Sequence, residues 1–238
     1  QGSVYVAMTD GLGAINAMRL AGYDVATLGN HEFTANRSHF ISSLISESGE
    51  ELVGIVSSGE WADAAREIAG ALGLALPEGF GAGASAEGLR PEATRLFVGA
   101  PEPACPPYEG VWAAEADGVQ PLLFVNPRSM EVERFMRSCG LGRPEGTNEP
   151  LDHVATECEL LERLALRAAG APASEGAPDG AGLPGGSPAA AYETFLSGHA
   201  QAWMPAFAER LAAEARHPFY RAAAAYLGAL LADWPSEA

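Results

Sequence analysis

A chain of 238 residues can bury a substantial core as one large domain or two small ones. With 47% hydrophobic residues and a mean hydropathy of +0.01, it is too apolar for general disorder. Fourteen Lys+Arg against 31 Asp+Glu leave a net charge of −17, which disfavours nucleic acid and anionic membrane surfaces and favours basic ligands.

The three cysteines, Cys105, Cys139 and Cys158, are odd in number, widely spaced and without a C-x-x-C, so neither a disulfide framework nor a cysteine zinc site is expected. No apolar run approaches the roughly 20 residues needed to span a bilayer. The opening "QGSVYVAMTDG" has no basic n-region and no apolar h-region, so a cytoplasmic protein is expected.

Residues 11–21, "GLGAINAMRLA", carry Leu12, Ile15, Met18 and Leu20 at near-helical spacing, and "YDVATLG" follows as a short strand. Helical periodicity then takes over. "RSHFISSLI" places Phe40, Leu44 and Ile45 on one face, and "WADAAREIAGALGLAL" repeats the pattern with Trp61, Ala65, Ile68 and Leu72. The glycine-rich "PEGFGAGASAEG" separates these from "LRPEATRLFVGA", and the prolines of "PEPACPPYEGVW" forbid a continuous helix.

"SMEVERFMRSCGL" sets Met130, Val132, Phe135 and Met136 mostly on one face and ends at Gly140, a natural C′ residue. Pro150 marks a helix start in "NEPLDHVATECELLERLALRAA", with Val154, Cys158, Leu161 and Leu164 at core spacing. Residues 170–188, "GAPASEGAPDGAGLPGGSP", read as a flexible surface loop. Two helices close the chain. Pro205 kinks or splits the first, and Pro218 opens the second.

"GYDVATLGNHEF", residues 22–33, with Asn30 and His31, resembles the segment of calcineurin-like metallophosphoesterases, the 5′-nucleotidase branch in particular, that supplies one metal ligand and one phosphate-orienting His. A two-metal site needs several carboxylates and imidazoles converging on cations about 3.5–4 Å apart. The other histidines, His39, His153, His199 and His217, sit in no matching motif, and Asp10 is the only carboxylate ahead of the segment. A metal-dependent phosphoesterase fragment using GNHE is therefore the alternative reading, with no metal site expected.

Two other stretches carry more chemistry. "PPYEGVW" is a proline-stiffened loop bearing Tyr108, Glu109 and Trp112, either a binding rim or a plug for the core. "NEPLDHVATE" gathers Glu149, Asp152, His153 and Glu157 at a helix N-terminus. Capping alone accounts for the acids there but not for His153, since the macrodipole disfavours a cation at that end. A neutral imidazole beside Asp152, oriented for a hydrogen bond, is the other option.

Taken in order and spacing, "RLFVGAPEPACPPYEGVW", "MEVERFMRSCGL", "NEPLDHVATE" and "HAQAWMPAFAERLAAEARHPFYRA" resemble the TorD/DmsD family of redox-enzyme maturation chaperones. The likeness covers roughly residues 36–238 and is nearest to the dimethyl-sulfoxide-reductase type. It implies an all-α helical-bundle domain over residues 35–238, with 1–34 as an N-terminal helix-strand appendage or nucleotidase-like fragment.

It also implies a protein that is not an enzyme and carries no cofactor. Such a chaperone binds the twin-arginine signal peptide of a molybdenum-cofactor oxidoreductase and holds the apo form of that subunit before export. The assembly expected is a monomer or a domain-swapped dimer, with no insertion into a membrane.

By position, the resemblance assigns the signal-peptide site to Pro106, Pro107, Tyr108, Glu109 and Trp112 from the loop. Glu149, Pro150, Asp152 and His153 join it from the turn. Two guanidiniums followed by an apolar stretch need carboxylates and an aromatic groove, supplied by Glu109, Glu149 and Asp152 and by Tyr108, Trp112 and Phe97. Departures from the family pattern are Tyr108 where many relatives have Trp, Gly110 where some have Ser, and a longer 170–188 loop.

Overall fold

Glycines and prolines punctuate this chain, and the helices begin and end where they fall. The computed structural model describes residues 53, 56–119, 126–142, 150–173 and 177–232. The appendage 1–34, the helical "RSHFISSLI" after it and Glu149 lie outside the described residues. Two units partition the chain: one joins residues up to 106 with those from 205 onward, the other is 107–204. Among the described residues the regular structure is helical and no strand forms, which bears out the all-α expectation.

In the first unit, α1 (Glu60–Leu72) buries Trp61, Ala65 and Ile68 of the expected stripe, while Leu72 is only half-buried. It does not run on through "GLAL". Gly73, at φ 75°, takes the left-handed conformation and turns the chain, and the Leu74 amide bonds back to the Ala69 carbonyl at 2.8 Å. The Trp61 ring stands edge-on to Phe219, with centroids 4.8 Å apart, and lies 5.7 Å from Phe80. Gly81, at φ 76°, follows Phe80; a Cβ there would meet the Ala62 Cβ at 2.8 Å.

The short α2 (Leu89–Ala93) widens into a π-helical turn, Thr94–Val98, that buries Leu96 and Phe97. Glu92 accepts from the Arg95 guanidinium at 3.0 and 3.1 Å and from the Arg216 amide at 2.6 Å. The Arg95 bonds hold its carboxyl down at about 2 against the opposing effect of burial.

The second unit contains α3 (Glu109–Ala116), α4 (Pro127–Ser138), α5 (Val154–Ala168) and α6 (Pro188–Phe195). α5 buries Val154, Cys158, Leu161 and Leu164 as the spacing predicts, and packs against α6, whose Ala191, Tyr192 and Phe195 are buried. Each such apolar side chain stabilises the fold by about 1.5–3 kcal/mol.

α4 starts on an Asn126 cap and Pro127, and ends as expected at Gly140, φ 80°, where the Leu141 amide returns to the Met136 carbonyl. Its apolar stripe is narrower than the sequence suggests. Val132 and Met136 are buried, whereas Met130 is 54% exposed.

The low-complexity stretch forms two 3₁₀ turns, Gly180–Gly182 and Pro184–Gly186, anchored by a buried Leu183. α6 passes into a second π-helical turn, Leu196–Ala200, and then α7 (Gln201–Glu214). Pro205, where the two units meet along the chain, lies inside α7. α8 (Pro218–Ala232) completes the first unit and buries Phe219 and Tyr220. All three cysteines are buried, and none is in a disulfide.

Candidate functional site

Prolines at 106 and 107 hold the backbone extended, and the Pro107 carbonyl has no helix to serve. It accepts from the Val154 amide, while the Glu109 amide donates to the Asp152 carbonyl, both at 2.9 Å. These two bonds make an isolated antiparallel bridge between Tyr108 and His153. Each residue is the extended N-cap of a helix, Tyr108 of α3 and His153 of α5. Their rings meet edge to face, with centroids 5.1 Å apart. The proline loop and the "LDH" turn are thus joined at one point.

His153 resolves the capping puzzle. Burial pushes its pKa down to about 4, so the ring is neutral, and its Nδ1 accepts from the Ala155 amide at 3.2 Å. A neutral imidazole caps α5 without placing a cation against its positive end. Nε2 is buried and has no partner among the described residues.

Asp152 points elsewhere. Its Oδ2 accepts from the Gly110 amide at 2.9 Å and from the Ser129 hydroxyl at 2.5 Å, while Oδ1 has no partner among the described residues. Burial raises its pKa, an effect that these bonds oppose. Asp152 and His153 therefore do not bond each other; one ties α3 to α4, the other caps α5.

Gly110 allows this convergence. A Cβ on it would lie 2.5 Å from Ser129 Oγ and 3.0 Å from both Asn126 Cβ and Asp152 Oδ2. Asn126 Nδ2 donates to the Gly110 carbonyl at 2.6 Å, and its Oδ1 accepts from the Arg128 amide, so one side chain caps α4 and fastens α3.

Glu109 is only 1% exposed and is held by two cationic or potentially cationic groups. Arg128 Nη2 lies 2.9 Å from its Oε1, and His199 Nδ1 lies 2.9 Å from its Oε2. The same Nη2 donates to the Gly198 carbonyl at 2.6 Å, and Nη1 pairs with Glu131 at 2.9 Å. The π-helical turn, whose widened winding often marks functional positions, carries both the Gly198 carbonyl and the His199 ring to this spot. His199 stacks on Phe195, with centroids 4.8 Å apart.

Behind Glu109 lies a third buried carboxylate. Glu157 is fully buried and accepts from Trp203 Nε1 at 3.0 Å. Burial first, and then the nearby Glu109 charge, push its pKa well above the usual carboxylate range. Trp203 also contacts Trp112, with centroids 6.4 Å apart.

Of the residues that the sequence nominates, Pro107, Tyr108, Glu109, Trp112, Pro150, Asp152 and His153 fall in the second unit. Pro106 ends the leading stretch of the first. Glu149 is outside the described residues, and Phe97 is buried in the first unit against Tyr220, at 5.6 Å. Trp112 is a buried ring and Tyr108 a half-exposed one.

Sequence reasoning missed Asn126, Arg128, Ser129, His199 and Trp203, and named Glu157 only among the acids at the start of α5. The available signal was an "NPRS" helix start, and a His and a Trp four residues apart in "SGHAQAW". The GNHE segment lies outside the described residues. Among the described residues, no group of three or more His, Cys, Asp or Glu could hold a metal ion, and no helix is long and apolar enough to cross a membrane.

Compared with known families, the chain matches the nitrate reductase delta subunit over residues 58–209, a span that begins after GNHE and contains both sides of the Tyr108–His153 bridge. No curated protein matches it.

Proposed function

Because the chain belongs to the nitrate reductase delta subunit family, the NarJ/TorD-type maturation chaperones of molybdoenzymes, we propose that it binds the twin-arginine signal peptide of one such enzyme. It does so in the cytoplasm, while the client awaits its molybdenum cofactor, and it catalyses no reaction. The peptide site comprises the proline loop and the "LDH" turn, with Glu109 as the carboxylate for a client guanidinium and Tyr108 as the accessible ring beside it.

The observation that carries this reading is Glu109 itself. It is a buried carboxylate whose Oε1 already accepts a guanidinium N–H at 2.9 Å, beside the bridge that joins the two motifs. Charge-assisted bonds of this kind contribute about 1.5–3 kcal/mol. The acidic surface adds steering for a basic peptide.

The test is a tryptophan-fluorescence titration with a synthetic twin-arginine signal peptide and its lysine-lysine counterpart. Saturable binding that prefers arginine, and that weakens about tenfold or more in Glu109→Gln and in Tyr108→Ala, is expected. Folded protein that binds neither peptide, or binds both alike, would remove the signal-peptide reading.

A further inference from the structure

Arg128 is an odd residue for its position. It occupies the first turn of α4, where the macrodipole disfavours a cation, and that turn contains no acidic residue to offset it. Capping does not require its side chain, because Asn126 already caps the helix. What the side chain does instead is enter the buried carboxylate site.

Its Nη2 is shared between Glu109 at 2.9 Å and the Gly198 carbonyl at 2.6 Å. These two acceptors, one from the start of α3 and one from the π-helical turn, converge on a single guanidinium nitrogen. Of the two side chains that hold Glu109, Arg128 is the more exposed, at 33% against 11% for His199. The outer half of the fork, Nη1, rests on Glu131, whose side chain is 42% exposed. Arg128 can therefore leave Glu109 and keep a carboxylate partner one turn along its own helix.

We propose that Arg128 is a resident placeholder: its guanidinium fills the Glu109–Gly198 cradle until an arginine of the client peptide displaces it toward Glu131. The proposal rests on the signal-peptide reading above and adds a regulating element to that site. The chain's own arginine sets how tightly a client arginine binds and rejects cations that cannot fork. A lysine ammonium is a compact point charge and replaces the resident fork poorly. A buried Glu109 is never left without a cation, since exchange swaps one guanidinium for another.

The experiment titrates the twin-arginine and lysine-lysine peptides into wild type, Arg128→Lys and Arg128→Gln, with far-UV circular dichroism as a check on folding. Removing a resident competitor tightens binding, so Arg128→Gln is expected to bind the twin-arginine peptide about tenfold more tightly than wild type. Arg128→Lys is expected to fall between them, and the preference for arginine over lysine to narrow in the order wild type, Arg128→Lys, Arg128→Gln.

If folded Arg128→Gln binds as wild type or more weakly, Arg128 is a structural or peptide-contacting residue and the placeholder is refuted while the signal-peptide reading stands. Should Arg128→Gln fail to fold, Arg128→Lys decides alone: tighter binding supports the proposal, and equal or weaker binding overturns it. Binding of neither peptide to any folded form removes the signal-peptide reading, and the placeholder with it.

Discussion

Tyr108 and His153 face each other across one antiparallel bridge, and each ends its extended stretch by starting a helix. Two motifs separated by some forty residues of sequence thereby share a single fixed point. Neither side chain is replaceable in an obvious way. Tyr108 packs its ring edge to face on the imidazole, and that imidazole must stay neutral to accept from Ala155.

His153 therefore makes stability depend on pH. Its folded pKa of about 4 is below the ordinary 6.5, so the unfolded chain takes up the proton first. The stabilisation is complete above pH 6.5 and is lost as pH falls toward 4, by about 3 kcal/mol. Asp152 and Glu157, with raised pKa values, act in the opposite sense. The difference between His153→Asn and wild type isolates the histidine. Asparagine keeps the cap but does not titrate, so urea unfolding at pH 7, 5.5 and 4.5 should show a shallower acid loss in the variant. Parallel curves would show that His153 is protonated in the folded protein.

Gly110→Ala puts a methyl group 2.5 Å from Ser129 Oγ and 3.0 Å from Asp152 Oδ2, and the Asn126 Cβ leaves it little room to shift. The α3–α4 contact must open or lose the Ser129–Asp152 bond. A loss of about 2–3 kcal/mol is expected in chemical denaturation, with Gly110→Ser no better despite its hydroxyl. Wild-type stability in both variants would mean that the two helices separate freely.

The sequence announces the helices of the second unit well because their cores follow the helical period: Val154, Cys158, Leu161 and Leu164 need only spacing. Met130 escapes the rule, since a stripe predicted from hydrophobicity does not say how wide a face the neighbours cover. The site is harder to read. Pro107, Tyr108 and Asp152 are legible as motifs, but the roles of Ser129, Arg128 and His199 depend on contacts with residues 19 to 90 positions away, which no local spacing announces. Leu183 is hidden by composition: one buried side chain anchors a stretch built mainly of glycine, proline and alanine.

In the first unit, the Glu92 carboxyl is held at about 2 by Arg95, with the Arg216 amide adding to the effect. Its folded pKa is depressed, so its contribution is present above pH 4.5 and is lost as pH falls toward 2. Glu92→Gln should cost about 2 kcal/mol at pH 7, and the gap from wild type should shrink as pH drops below about 4.5. A constant gap across that range in denaturant melts would place the effect in packing rather than in charge.

Glu157 carries the opposite sign. Its pKa is raised, so the folded protein keeps a proton that the unfolded chain releases, and stability declines as pH rises above the ordinary carboxylate range. Glutamine has the shape of the protonated acid and can still accept from Trp203 Nε1. Glu157→Gln should therefore fold with unchanged tryptophan emission and be more stable than wild type at pH 7, the difference shrinking as pH falls into the ordinary carboxylate range. Glu157→Ala differs in kind, leaving a cavity and a buried indole N–H without its acceptor; a loss of about 2–4 kcal/mol and a shift in Trp203 emission are expected. If Gln were as damaging as Ala, the carboxyl would have to be ionised in the fold.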